Sequence, residues 1–169
     1  MKRIPPLTWQ SNDRQYSVRV TKPAFHSMLQ LAAQHAPNEV GTSLVGSYSD
    51  DGSLAVVHRI APLSADSRGS RNAFLRGILG LRTFFGKVIA RFRGRRHYVG
   101  EWHSHPGGIP VPSSTDDYNQ TAIATDKVAH CPECILVILG GDFSDDPVLG
   151  LYVYSRSRGK IVLRPRDAH

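Results

Sequence analysis

Two histidines and an aspartate lie close together in residues 100–117 (GEWHSHPGGIPVPSSTDD). His103 and His105 stand two positions apart at what reads as a strand end, so their imidazoles point to one face of a sheet. Asp116 follows a Gly/Pro-rich loop and falls in the first turn of a predicted helix. If the strand end and the helix start meet, these side chains provide three N and O ligands and leave a fourth position open. That arrangement is typical of a catalytic zinc site.

Each of these residues also has a purely structural interpretation. A single histidine usually lies on the surface or is satisfied in the core. Ser113 and Asp116 form a Ser-x-x-Asp pair that is a capping arrangement, and an acid in a first turn favours the helix dipole. The spacing of the whole set, rather than any one residue, therefore indicates a metal site.

The elements that position these residues follow from periodicity and turn chemistry. Thr21 is a candidate N-cap for a helix with Pro23 in its first turn. Gly77, Gly80 and Gly86 weaken a second helix, because each costs ~1 kcal/mol against alanine. We predict strands over 16–21, 41–48, 53–61, 97–103, 135–139, 148–155 and 160–163, and helices over 21–36, 73–92 and 113–126. This pattern predicts an α/β (mixed α+β) fold, a mixed sheet flanked by about three helices.

Length and composition set further limits. The 169 residues are 40% hydrophobic, which favours a single globular domain over 1–169 with a core at about 16–163. Cys131 and Cys134 are too few for a disulfide scaffold, and the apolar runs are too short to span a bilayer. The first fifteen residues contain no apolar run typical of a secretory signal, so we expect a cytoplasmic protein without a membrane partner.

The net charge of +7 is unevenly distributed. Between Asp66 and Glu101 there is no acidic residue, and nine residues are basic: Arg68, Arg71, Arg76, Arg82, Lys87, Arg91, Arg93, Arg95 and Arg96. This basic segment is either a solvated face or an attractor for an acidic protein partner or nucleic acid. Its aromatic residues, Phe74, Phe84, Phe85 and Phe92, are expected in the core, which makes nucleic acid an unfavoured partner.

The run HSHPGGIPVPSSTD resembles the signature of the JAMM metallopeptidases, also called the JAB or MPN⁺ domain. The signature is His-x-His-Pro, six residues, Ser, two residues and Asp. His103, His105, Pro106, Ser113 and Asp116 match it without a spacing error. The family also uses a glutamate before a glycine-containing apolar strand, and Glu39 in NEVGTSLVG stands in that place. The resemblance covers roughly residues 16–163 and implies a JAB/MPN-like fold.

The resemblance implies a set of catalytic roles. His103, His105 and Asp116 would hold Zn²⁺, Glu39 would act as the general base, and Ser113 would hydrogen-bond to the oxyanion. The usual reaction of the family is hydrolysis of the isopeptide bond between a ubiquitin-like C-terminus and a lysine amine. Glu101 competes with Glu39 for the role of base, because strand alternation places it on the same face as His103.

The segments DSRGSRNAF, GLRTFF and YVGEWHSHPGG resemble the stand-alone bacterial JAB peptidases of anti-phage (CD-NTase/CBASS-type) operons. This likeness implies cleavage of a ubiquitin-like or CD-NTase C-terminal tail from its target, with an E1–E2 conjugating enzyme as functional partner. In that case, neutralising Arg93, Arg95 and Arg96 should slow substrate capture, most at low salt. Two alternatives stay open: a DNA-associated JAB relative of RadC type, and a metal-free MPN scaffold, against which the intact ligands argue.

Cys131 and Cys134 belong to the sequence HCPEC. A Cys-x-x-Cys pair can be half of a zinc site or a redox pair, but no second pair completes a four-sulfur site. Buried structural thiols and a local metal or redox role both remain possible interpretations.

Overall fold

The computed structural model describes residues 4–166. Residues 1–3 and 167–169 lie outside the described residues. All six belong to the predicted domain over 1–169, and residues 1–3 also belong to the N-terminal segment that was compared with a secretory signal. The helices are α1 (Lys22–His35), α2 (Leu81–Arg91) and α3 (Ser114–Thr125). The strands are β1 (Thr8–Gln10), β2 (Ser17–Val20), β3 (Gly41–Tyr48), β4 (Leu54–Ile60), β5 (Arg68–Gly69), β6 (Phe74–Leu75), β7 (His97–Ser104), β8 (Glu133–Asp142), β9 (Asp146–Ser155), β10 (Gly159–Val162) and β11 (Arg164–Pro165).

Nine of the strands in residues 4–166 form one mixed sheet in the order β10-β9-β8-β7-β3-β4-β2-β1-β11. The pairs β7–β8 and β2–β4 are parallel, and the other neighbours are antiparallel. The short strands β5 and β6 form a separate hairpin. This mixed sheet with three helices confirms the predicted fold class.

The sheet separates two apolar layers, and β8 contributes to both. Ile135, Val137 and Leu139 pack in the layer that contains Phe25 and Met28 of α1. The alternate residues Cys134, Leu136 and Ile138 pack with Ala124 of α3 and with Tyr152 and Tyr154. Because β8 is buried on both faces, its sequence is a continuous apolar run rather than an alternating one. Trp102 is 1% exposed and belongs to the α1 layer, which confirms that it is a core residue.

The start of α1 follows its capping chemistry. The Thr21 hydroxyl accepts a hydrogen bond from the backbone N–H of Ala24, and Pro23 lies in the first turn, as predicted. The short strands β1 and β11, which end the sheet on the side of β2, were not predicted, because each is only two or three residues long and lacks a repeating pattern.

The predicted helix over 73–92 is wrong in its first half. The helix begins only at Leu81, after Gly80 with a φ of 79°, and Phe74–Leu75 forms a hairpin strand instead. The Asp66 carboxylate accepts hydrogen bonds from the N–H groups of Ile78 and Leu79, at 3.0 and 3.1 Å. The Asp66 carboxylate thus accepts from N–H groups that would bond to backbone carbonyls in the predicted helix.

The prediction that the four phenylalanines of the basic segment are core residues is also wrong. Phe74, Phe84, Phe85 and Phe92 are only partly buried. Phe84 and Phe92 instead carry guanidinium groups over their rings, from Arg59 and Arg96. Their faces are covered by long cationic side chains rather than by the core.

Among the helices of residues 4–166, none combines the length and the apolar character that crossing a bilayer requires.

Candidate active site

The end of β7 brings the first candidate ligand into a buried position. His103 pairs with Gly41 of β3 on one side and with Ile138 of β8 on the other, and it is only 6% exposed. A side chain at position 41 would collide with the Trp102 carbonyl and with His103 itself. Gly41 therefore leaves the space that the His103 Cα and Cβ occupy.

His103, His105 and Asp116 converge as a group whose ligand atoms all lie within 4.8 Å of one another. The two Nε2 atoms of the histidines are 3.1 Å apart, and His103 Nε2 is 3.4 Å from Asp116 Oδ2. A tetrahedral zinc ion with bonds of ~2.0–2.1 Å holds its ligand atoms about 3.3 Å apart. The donor types and these two distances therefore fit Zn²⁺.

The backbone sets the orientation of the His105 ring. Its Nδ1 lies 3.0 Å from the Ile109 carbonyl oxygen, which can only accept a hydrogen bond. Nδ1 therefore carries the proton in the neutral ring, and Nε2 keeps its lone pair toward His103 and Asp116. A carbonyl partner of this kind is the usual support of a histidine that binds a metal.

Asp116 is held at the N-terminus of α3 by a capping box. Its Oδ2 accepts hydrogen bonds from the Ser113 N–H at 2.7 Å and from the Ser113 hydroxyl at 2.8 Å. Partial burial alone would raise the pKa of Asp116, but hydrogen bonds from His103 and Ser113 outweigh it and hold this pKa well below its usual range. The carboxylate is therefore ionised and available as a ligand.

Ser113 uses its hydroxyl group twice in this arrangement. The hydroxyl donates to Asp116 Oδ2 and accepts from the Asp116 N–H at 3.1 Å. The capping interpretation of Ser-x-x-Asp therefore describes an actual contact. The same hydroxyl can donate to a substrate oxyanion only after it releases Asp116.

Glu39 lies beside the His-His-Asp group, just before β3. Its Oε1 is 3.9 Å from His105 Nε2, and its side chain is largely buried. Its backbone N–H donates to the Ser70 carbonyl of the β5–β6 hairpin at 2.8 Å. Burial raises the pKa of Glu39, while the neighbouring His105 and His103 lower it to a smaller extent.

Glu101, the competing candidate for the base, is occupied by other side chains. It accepts hydrogen bonds from the Tyr98 hydroxyl at 2.7 Å and from Ser43, and its Oε2 is 3.1 Å from Arg76 Nε. Burial raises its pKa, and the Arg76 guanidinium is the main opposing influence. These contacts favour a structural role that ties the residues before α2 to β7.

A cavity of about 480 Å³ opens onto the group. Glu39, His105 and Asp116 line its floor, while the β5–β6 hairpin and the loop after His105 form its walls. The hairpin contributes Arg71, Asn72, Ala73 and Phe74, and the loop contributes Pro106, Gly108, Ile109 and Val111. Arg71 was not predicted to line this cavity, and its place in the segment DSRGSRNAF is the sequence signal that could have found it.

The two cysteines are free and buried in the layer beneath α3. Cys134 Sγ donates to the Gln120 side-chain oxygen at 3.2 Å. Within residues 4–166, three potential ligands converge at His103, His105 and Asp116, and no such group includes a cysteine. The burial and packing of Cys131 and Cys134 support their interpretation as structural thiols.

Comparison with known proteins agrees with the fold. The family described as prokaryotic homologues of the JAB domain matches residues 21–153, and the chain belongs to this family. A protein of Enterobacter hormaechei subsp. hoffmannii (strain UCI 50), named CD-NTase/cGAS isopeptidase, is 36% identical over 161 residues. That alignment covers 95% of this chain and 88% of the relative.

A solved structure shares the fold. The solution structure of protein DSY2949 from Desulfitobacterium hafniense superposes with a TM-score of 0.57 at 22% sequence identity. The match covers 89% of this chain and 90% of the other. At this identity, the likeness supports the architecture alone.

Proposed function

We propose that this chain is a zinc-dependent isopeptidase that removes a CD-NTase or ubiquitin-like C-terminal tail from its target in an antiviral defence system. The observation that carries the proposal is the convergence of His103, His105 and Asp116 beside an open cavity, which His105, Asp116 and Glu39 line. Membership in the JAB family and the 36% identical CD-NTase/cGAS isopeptidase support the reaction class.

The proposed ligands of Zn²⁺ are His103 Nε2, His105 Nε2 and Asp116. When bound there, the ion supplies Lewis acidity, which polarises a carbonyl group and lowers the pKa of water. Glu39 has its carboxylate 3.9 Å from His105 Nε2, so it can accept the proton of an attacking water in front of the group. It then returns that proton to the departing lysine amine.

The Ser113 hydroxyl is the proposed donor to the tetrahedral oxyanion. In the structure it donates to Asp116 Oδ2, so this role requires the hydroxyl to rotate away from that oxygen. The Ser113 backbone N–H also donates to Asp116 Oδ2, so the carboxylate keeps one hydrogen bond while the hydroxyl turns to the substrate.

The cavity suits an extended polypeptide tail. Its hairpin wall offers backbone groups, and strand addition is a common way to bind such a tail. Arg71 lines this cavity and offers a cation to an acidic or carbonyl-rich substrate. An E1–E2 enzyme is the proposed source of the conjugate, because an isopeptide link must first be made by an activating enzyme.

The test is a cleavage assay with a CD-NTase tail joined to a lysine side chain. We expect cleavage at the tail's last residue, loss of cleavage after chelation, and recovery when Zn²⁺ is returned. A matched substrate with the tail joined to an α-amine separates isopeptidase from linear peptidase activity. Undiminished cleavage by a protein shown to be metal-free would contradict the zinc mechanism.

A further inference from the structure

A second cavity, of about 650 Å³, lies at the opposite end of β7 from His103. It forms where β3 ends and β7 begins, and the turn between α2 and β7 closes it. His97 and His103 are six positions apart on β7, so about 20 Å separates the two sites. Among its lining residues are Ser47, Asp50, His58, Arg95, Arg96 and His97.

The charge around this cavity is mainly positive. Arg95 and Arg96 line it, and neither takes part in an ion pair among the described residues. Asp50 is the acidic residue on its lining. Burial lowers the pKa of His58, and the charges of Arg96 and Arg19 lower it further.

Several of these polar groups are held in place before any ligand arrives. The Arg96 guanidinium carbon lies 4.2 Å from the centre of the Phe92 ring, which restricts its motion. The His97 ring stacks on Tyr48 with centroids 5.7 Å apart, and its Nδ1 is 2.8 Å from the Tyr98 carbonyl oxygen. Because a carbonyl oxygen can only accept, the N–H of His97 Nδ1 makes this hydrogen bond, and Nε2 takes no part in it.

We propose that this cavity binds a phosphate-bearing anion of nucleotide size, with its phosphate group between Arg95 and Arg96. The volume lies in the range of small-ligand sites, ~300–1,000 Å³. Guanidinium groups bind phosphate oxygens with charge-assisted, often paired hydrogen bonds. A simple solvated face would spread its cations over convex surface, whereas Arg95 and Arg96 both line one cavity and Arg96 is held against the Phe92 ring.

The test is calorimetric titration of the full chain with AMP, ADP and adenosine. We expect AMP and ADP to bind and adenosine not to bind, because the phosphate supplies the recognition. Arg95→Gln and Arg96→Gln should each weaken AMP binding about ten- to a hundredfold, the effect of losing one charge-assisted hydrogen bond. Asp50→Asn should strengthen binding, because it removes the opposing charge. Arg82→Gln, an exposed position on α2, is the matched control and should change nothing.

Other outcomes would overturn the proposal. Absence of heat with AMP and ADP, or an equal loss in Arg82→Gln, would identify a solvated basic face. Tighter binding of a 20-base-pair DNA duplex than of ADP, with a steep salt dependence, would identify a nucleic-acid surface instead. If Arg96→Gln does not fold, because Arg96 packs on Phe92, the exposed Arg95→Gln alone decides the test.

Discussion

The hydrogen-bond partners of single atoms decide what each residue of the active site can do. The Ile109 carbonyl holds the His105 proton on Nδ1, and the Ser113 N–H and hydroxyl hold Asp116 Oδ2. Among residues 4–166, the Glu39 carboxylate has no such tight partner, although its backbone is tied to the hairpin. The proposed ligands are thus fixed, and the carboxylate of the proposed base is freer to exchange protons.

Glu39→Gln should abolish most of the activity while leaving zinc binding intact. Glutamine keeps the size of the side chain but cannot accept a proton, and general-base catalysis contributes about 10²–10⁴-fold. The measurement is kcat/KM on the tail-to-lysine substrate together with zinc content by mass spectrometry. Activity within threefold of the wild type would show that another group is the base.

Ser113→Ala should affect both rate and stability, by different amounts. Losing an oxyanion donor costs about 10²–10³ in kcat, and losing the N-cap costs about 1 kcal/mol in the free energy of unfolding. Steady-state kinetics and urea denaturation measure the two effects separately. Ser113→Thr keeps the hydroxyl and should restore much of both. A loss of stability without a loss of kcat would leave Ser113 with its capping role alone.

Much of the site could be predicted from spacing, because local rules position its parts. Alternation in β7 places His103 and Glu101 on one face and Trp102 on the other, and the Ser-x-x-Asp pair starts α3. The roles of Glu101 and Arg71 could not be predicted. These roles depend on the path of residues 62–80 across the molecule. No local sequence pattern indicates the Arg76–Glu101 contact or the residues that form the wall of the cavity.

At the scale of elements, the segment between β4 and α2 is the part that departs most from its sequence pattern. Apolar residues at helical spacing suggested one long helix, yet Leu75, Ile78 and Leu79 are 64–68% exposed. Two acidic residues hold the segment instead: Asp66 by accepting from Ile78 and Leu79, and Glu101 by pairing with Arg76. Long-range polar contacts thus override a helical pattern that the glycines already weaken.

Arg76→Met should destabilise the protein and loosen this segment. Methionine keeps much of the length but leaves the buried Glu101 without its cation, supported only by Tyr98 and Ser43. Because Arg76 is partly exposed, we expect a loss of about 1–2 kcal/mol, less than for a fully buried pair. Chemical denaturation measures it. The double variant with Glu101→Gln should recover part of the loss, and strictly additive losses would contradict the pairing.

The Asp66 contacts should weaken in acid. Hydrogen bonds from the backbone lower the pKa of Asp66, so the carboxylate favours the folded segment above the pKa of an unfolded aspartate. That contribution is lost as pH falls through the lower, folded pKa. The amide proton shifts of Ile78 and Leu79 should therefore titrate with a midpoint below the ordinary aspartate value. In Asp66→Asn this titration should disappear, and its persistence would assign the shift to another group.

At the scale of the whole molecule, the sheet places the two cavities at opposite ends of β7. The nine basic residues of the basic segment are accordingly divided. Arg71 lines the active-site cavity, Arg76 is paired, and Arg95 and Arg96 line the far cavity. The expectation that Arg93, Arg95 and Arg96 aid substrate capture therefore stays a prediction for long-range attraction, while Arg71 is the basic residue that lines the proposed substrate cavity.

Zinc should stabilise the whole chain if the proposed ligands hold it. A ligand present at a thousandfold above its Kd adds about 4 kcal/mol, which raises the Tm of a domain this size by roughly 8–16 °C. Calorimetry of chelated and reloaded protein measures the change. His103→Gln should remove the difference, whereas Cys134→Ala should lower Tm in both states and preserve it. A zinc effect that survives His103→Gln would place the metal elsewhere.

The contact between the β5–β6 hairpin and Glu39 has a consequence for engineering. The Glu39 N–H bonds to the Ser70 carbonyl, and a side chain at position 69 would strike the Glu39 carbonyl oxygen. A foreign loop grafted here to change the substrate would therefore also move Glu39, the proposed proton acceptor. Libraries that vary positions 71–73 and retain Gly69 should alter selectivity with the least loss of turnover.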